Sequence, residues 1–231
     1  MKRLLLLSCI LAGAVLSNYS YADGGVSIHA TRIIYPLTAK QSSVSVVNSS
    51  GADSYLIQSW VEDPLGHKSS DFIVTPPLYV SGPHNENTLR VMLMNTNLPN
   101  NKESLYYFVV KAIPGEKENA GNESGKVLKI AAASRIKLFV RPESLLGPDG
   151  ESISHLKFHL QGNCVQISNQ TPYYFTLTKI SIGGYQLKDV MVPPQSSVSE
   201  QFSTTTEGQV TFHVITDFGS VSKSYTASLS K

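Results

Sequence analysis

The chain carries six histidines, His29, His67, His84, His155, His159 and His213, and only His155 and His159 fall close together. On a strand, a separation of four residues puts both rings on one face but about 13 Å apart, too far to share a metal ion. With Lys157 between them they read as the solvated face of a strand. No His-Glu-x-x-His, Gly-x-Ser-x-Gly or Cys-x-x-Cys motif is present, and no phosphate-cradling glycine loop. The order of the acidic residues suggests no catalytic pair. These residues point away from an enzyme, and no cofactor is expected. What stands out is a pair of cations embedded in apolar segments: Arg32 in Thr31-Arg-Ile-Ile34 and Lys137 in Arg135-Ile-Lys-Leu-Phe139. Either one alone reads as an outward charge on a half-buried strand. Together, at the two ends of one domain and near a linker, they could form an anion-binding cleft, and a carboxylate suits such a cleft well.

The element that must position Lys137 is the segment Gly125-Lys-Val-Leu-Lys-Ile-Ala-Ala-Ala-Ser-Arg-Ile-Lys-Leu-Phe-Val-Arg-Pro142. Its even positions, Leu128, Ile130, Ala132, Ser134, Ile136, Leu138 and Val140, are apolar except for Ser134. Its odd positions carry Lys129, Arg135, Lys137 and Arg141 among apolar neighbours. This period of two predicts one long strand, with a greasy row and a basic row. Helix formers in Lys-Ile-Ala-Ala-Ala-Ser-Arg argue for a helix, but there the cations would sit all round the cylinder. The closing Leu-Phe-Val-Arg-Pro also favours extended backbone.

Upstream, about seven short alternating runs are separated by turn signals every 8 to 12 residues, as in a β-sandwich. Trp60, the one tryptophan, is expected to plug that core. Residues 114–126 are charged, glycine-rich and poor in apolar side chains, which predicts a mobile loop. A turn-rich linker near 141–150 introduces a second all-β unit with a Gly183-Gly184 turn. Its last strand, alternating Tyr225, Ala227 and Leu229, is weakly apolar and its pairing is open. Asn48, Asn122 and Asn169 begin glycosylation acceptor patterns, which carry meaning only in a cell that glycosylates what it secretes.

Met1-Lys-Arg, an apolar run over 4–16 and Ser20-Tyr-Ala22 have the form of a secretory signal peptide cut after Ala22. The expected division is a signal over 1–22, one sandwich domain over 23–142 and another over 143–231. No later run is long and apolar enough to span a bilayer, so stable membrane insertion is not expected. Loss of Lys2 and Arg3 leaves 17 basic against 17 acidic residues, so total charge gives no reason to expect a nucleic-acid partner. Cys9 leaves with the signal. Cys164 then has no partner for an intrachain disulfide, and it reads as a buried structural thiol.

Several segments, in this order, resemble the periplasmic chaperones of the chaperone/usher pathway, which assemble pili and fimbriae. They are Thr31-Arg-Ile33, Tyr55-Leu-Ile-Gln-Ser-Trp-Val-Glu62, Thr75-Pro-Pro77, Glu103-Ser-Leu-Tyr-Tyr-Phe108, Ile113-Pro114, Arg135-Ile-Lys-Leu-Phe-Val-Arg-Pro142, Thr171-Pro-Tyr-Tyr-Phe-Thr176 and Thr216-Asp-Phe-Gly219. The resemblance implies two immunoglobulin-like β-sandwich domains in a boomerang, located in the periplasm, with pilin subunits and an outer-membrane usher as partners. It implies that Arg32 and Lys137 anchor the subunit's terminal carboxylate. Leu128, Ile130 and Ala132 correspond to the donor residues that complete a pilin lacking its last strand. Glu103, Arg141 and Asp217 correspond to a salt-bridge network between the domains.

There are departures from the family's pattern. Ala132 places a methyl where a large aliphatic side chain is usual, and Ser134 is polar on the same row. The loop over 114–126 is somewhat long for the short-loop class, but it lacks the hydrophobic extension and cysteine pair of the long-loop class; the short-loop class fits better. A cysteine pair near the C-terminus, common in that class, is absent. The competing reading is a structural or adhesive two-sandwich module with its greasy strand inside the core. Exposure of Leu128 and Ile130 in the free protein discriminates between them, and an exposed edge would also favour self-association.

Overall fold

The computed structural model describes residues 24–95, 97–115, 129–202 and 208–230. The N-terminal sandwich is built from β1 (Val26–Ile28), β2 (Arg32–Pro36), β3 (Ser42–Asn48), β4 (Tyr55–Glu62), β5 (Phe72–Thr75), β6 (Leu78–Ser81), β7 (Glu86–Leu93), β8 (Ser104–Pro114) and β9 (Ala132–Arg141). One sheet runs β1-β3-β7-β5 and the other β2-β9-β8-β4-β6. Alternation drives both: Val44 and Val46 from β3, Ile57 and Val61 from β4, Leu89 and Val91 from β7, and Phe108 and Val110 from β8 turn into one core.

The C-terminal sandwich follows a short helix, α1 (Gly150–Ser154), whose N-cap Asp149 accepts the Ser152 N–H at 2.8 Å. Its strands are β10 (Leu156–Gln161), β11 (Cys164–Asn169), β12 (Phe175–Ile182), β13 (Tyr185–Gln186), β14 (Val190–Val192), β15 (Ser196–Gln201), β16 (Val210–Val214), β17 (Tyr225–Ala227) and β18 (Leu229–Ser230). They form the sheets β15-β11-β10-β18 and β13-β12-β16-β17, with β14 also on β12. The core gathers Phe158, Ile167, Leu177, Ile180, Ile182 and Phe212 among others. The weakly apolar last strand divides its pairing, β17 lying antiparallel on β16 and β18 parallel on β10, so it closes both sheets.

Four local expectations are corrected. The long strand is shorter than its alternation suggests: pairing starts at Ala132, residues 129–131 lie outside any strand, and 125–128 fall outside the described residues. Its partner β8 ends at Pro114, which has no N–H to extend the ladder. Trp60 is no core plug. On β4 the buried row is Ile57, Ser59 and Val61; Trp60 sits half-buried on the opposite face, donating from Nε1 to Glu62 Oε1 at 2.9 Å. His155 caps α1 instead of sharing a strand face with His159, because β10 begins only at Leu156. Cys164 is free but only half-buried, at the first position of a strand. The Gly183-Gly184 turn is present, both residues with positive φ (54° and 89°).

Candidate binding edge and interdomain cleft

Strand β9 has two ends in different surroundings. Its second half, from Lys137 to Arg141, lies between β8 and the parallel strand β2. Its first half, from Ala132 to Ile136, pairs with β8 alone, because the chain between β1 and β2 crosses from one sheet to the other. Among the described residues the outer backbone groups of that half have no strand partner. The even row makes this edge apolar. Leu138 is fully buried (0% exposed) and Val140 and Ile136 pack in the same core, yet Ile130 on that row is 71% exposed. Ile130, Ala132 and Ser134 border an open cavity of 290 Å³ shared with Val26, Ile28 and Tyr55. The core row of the N-terminal sandwich thus runs past the end of its own sandwich. Leu128 lies outside the described residues.

The odd row turns toward the second domain. Arg135 is neutralised locally: its Nε donates to Glu62 Oε2 at 2.9 Å, and its guanidinium stands 3.4 Å over the Tyr107 ring. Arg141, buried at the other end, donates from Nε to Glu103 Oε1 at 2.7 Å and bidentately to Asp217 at 2.6 and 2.9 Å. Glu103 also accepts the Tyr174 N–H at 2.7 Å. The three residues singled out from the sequence therefore form one continuous bridge between the domains. Burial is the largest influence on Arg141 and pulls its pKa down, but the hydrogen bonds of Asp217 and Glu103 outweigh it and hold the guanidinium above its ordinary range. Burial pushes the Glu103 pKa up against the pull of the Tyr174 N–H and of Arg141, and the negative charge of Asp217 adds a smaller push in the same direction.

Arg32 and Lys137, 105 positions apart in the chain, stand directly opposite one another where β2 meets β9. Neither has a carboxylate within ion-pair distance among the described residues. Lys137 Nζ donates to Thr176 Oγ1 at 2.8 Å, and Arg32 donates from one terminal nitrogen to the Ile215 carbonyl at 3.2 Å. The Arg32 guanidinium lies 5.8 Å from the Phe139 ring centre, and its Nε is buried without a hydrogen-bond partner. Burial, and then repulsion by Arg32, depresses the Lys137 pKa, with Asp189 acting the other way. Burial depresses Arg32 also, opposed by the charges of Asp217 and Glu103. Two adjacent, half-desolvated cations held by neutral oxygens form a site prepared for an anion. Thr176 and the Ile215 carbonyl, which orient these cations, carry no signal in sequence as partners; only the docking of the second domain brings them there.

Residues 25–146 match the pili and flagellar-assembly chaperone family, PapD N-terminal domain, and residues 151–226 match the pili assembly chaperone PapD, C-terminal domain. The chain belongs to this chaperone family. It is 37% identical over 223 residues to the chaperone protein FimC of Escherichia coli K12, covering 94% of this chain and 92% of that one. Among solved structures it is similar to the periplasmic chaperone SfaE at 36% identity and a TM-score of 0.76, covering 88% of this chain and 100% of the other. It is also similar to the Salmonella enterica SafA pilin–SafB chaperone complex, at 26% identity and a TM-score of 0.81 over 91% and 99% of the two chains. The protein is a periplasmic fimbrial chaperone with the family's two immunoglobulin-like sandwiches in a boomerang, and not an enzyme. No cluster of metal-ligating side chains occurs among the described residues.

Proposed function

We propose that this chaperone binds a pilus or fimbrial subunit by lending it the edge of β9, and delivers it to an outer-membrane usher. A sandwich missing its last strand exposes an apolar groove and unpaired backbone groups, which aggregates. The open half of β9 would satisfy both needs, with main-chain hydrogen bonds giving general affinity and the row of Leu128, Ile130 and Ala132 entering the groove in register. Arg32 and Lys137 would fix that register by clamping the subunit's terminal carboxylate. The Glu103–Arg141–Asp217 bridge would hold the second domain at the angle that leaves room for the subunit. No bond is made or broken. The same edge, left free, favours self-association of the unloaded protein.

One observation carries this reading: among the described residues, an apolar core row leaves its own sandwich along an unpaired edge and leads to two adjacent cations that have no carboxylate. The test is a pull-down from the periplasm of the native host, comparing the mature protein with Lys137→Ala. A small secreted sandwich protein captured one-to-one by the wild type and lost by the variant is expected. Capture that survives in the variant would remove the carboxylate anchor from the account. A wild type that captures no subunit while fimbrial genes are expressed would overturn the reading.

A further inference from the structure

Toward its open end the inner row of the N-terminal sandwich runs out of bulk. Across the β8–β9 ladder that row pairs Tyr106 with Leu138, then Phe108 with Ile136, then Val110 with Ser134, and last Ala112 with Ala132. Large side chains give way to a valine, a hydroxyl and two methyls. The space they do not fill is the open cavity of 290 Å³ beside Ile130. Its far wall is β1, the end strand of the opposite sheet, through Val26 and Ile28, and no charged side chain lines it among the described residues. Val110 and Ala112 at its floor are buried, whereas Ile130, Ala132 and Ser134 at its mouth are exposed. A hollow with mostly apolar walls, which a larger residue than Ala132 would have filled, gains nothing for the free protein.

We propose that this cavity receives one large apolar side chain of the bound subunit, carried on the strand that pairs with β9, and that the small Ala132 selects for it. The inference rests on the carboxylate-anchor reading, which sets direction and register. A chain whose last carboxylate lies at Arg32 and Lys137, and whose preceding residues cover the open half of β9, runs parallel to that strand. Residues paired across a ladder place their side chains on the same face of the sheet. The residue set against Ala132, about five before the last, therefore points to the face on which the cavity opens. With isoleucine in place of Ala132 the chaperone would fill this space itself, and a bulky partner would clash. With alanine there, a partner presenting only small residues leaves the walls wet, whereas a leucine or phenylalanine buries them. At this one point the subunit supplies the bulk and the chaperone the space.

The experiment titrates the full mature protein with acetylated peptides of alternating threonine and alanine that end in a free carboxylate. A single leucine or phenylalanine is moved in turn through the fourth to eighth positions from the end, and each peptide is also made as its C-terminal amide. The ratio of affinities between peptides, read within each protein, is the measure, so a general loss of binding does not imitate the effect. One position, near the fifth residue before the last, is expected to exceed the all-small peptide by about tenfold or more, with its immediate neighbours falling back. Ala132→Ile should erase that peak. A flat profile with the amides still weak would overturn this inference and leave the anchor standing. A peak that survives in Ala132→Ile, or grows there, would overturn the assignment to this cavity. Amides that bind as tightly as the free acids would overturn the anchor and the register with it. If no free acid binds, the open edge is not the binding site and both readings fall.

Discussion

The two sandwiches close their cores by the same device and treat their edges in opposite ways. In each, a buried asparagine at the end of a strand ties a turn to the opposite sheet. Asn48 Nδ2 donates to the carbonyls of Asp53, Ser81 and Gly82, and Asn169 Nδ2 to those of Tyr173, Val192 and Pro193. In both cases Oδ1 accepts the backbone N–H two residues on, from Ser50 or Thr171. The Asn-x-Ser/Thr pattern at these two places is a turn lock, and both amides are too buried and too fully bonded to serve as glycosylation acceptors. Edges are where the domains part. The second domain splits its final strand so that each sheet ends in a piece of two or three residues, and another edge, β15, is mostly polar. The first domain splits its initial strand, and the crossing leaves half of β9 uncovered. One topological trick, applied at opposite ends of the chain, seals one sandwich and opens the other.

The largest expected effect comes from breaking the joint that lets the open edge face a second domain. Arg141→Met leaves buried Glu103 and half-buried Asp217 without their cation and should lower stability by about 3–5 kcal/mol, seen in denaturation as separation of one transition into two. Equality of the locks is tested next. Asn48→Ala and Asn169→Ala each strand buried carbonyls, and each should destabilise its own domain by at least about 1–3 kcal/mol; a clear inequality in urea midpoints would break the symmetry described above.

The cation pair should show the opposite sign. Lys137 has a folded pKa below its unfolded value, so the native state sheds that proton first and stability rises with pH between the depressed value and the ordinary lysine value of 10.5. Lys137→Met should flatten this alkaline rise and stabilise the unloaded protein near neutrality. Carboxylate binding raises the same pKa, so affinity should be full below the free value and fall as pH climbs through the bound one; calorimetric titration at stepped pH measures both. The smallest effect on folding belongs to the open edge itself. Ala132→Lys adds a charge at an exposed position and should shift stability by no more than about 0.5 kcal/mol, while cutting subunit capture sharply. If it unfolds the protein, the edge belongs to the core and the contrast between the domains fails.

Much of this was legible in the chain. Period-two alternation gave the strands, because a residue's side of a sheet follows from local backbone geometry. The parity of 125–142 separated the core row from the basic row, and the order of short motifs named the family. The sequence could not say that the ladder starts only at Ala132, because that depends on Pro114 ending the neighbouring strand. Nor could it place Trp60 outside the core, since the face a strand buries is set by the opposing sheet. Arg32, Lys137, Arg135 and Arg141 look alike as cations in alternating segments. Alternation does not sort them, and only the resemblance set Arg32, Lys137 and Arg141 apart; the folded chain supplies the reason: Glu62 reaches Arg135, Glu103 and Asp217 reach Arg141, and among the described residues no carboxylate reaches the remaining two. A strand's pattern is written in its own residues; whether its edge is paired and its charges are met depends on segments between 38 and 105 residues away.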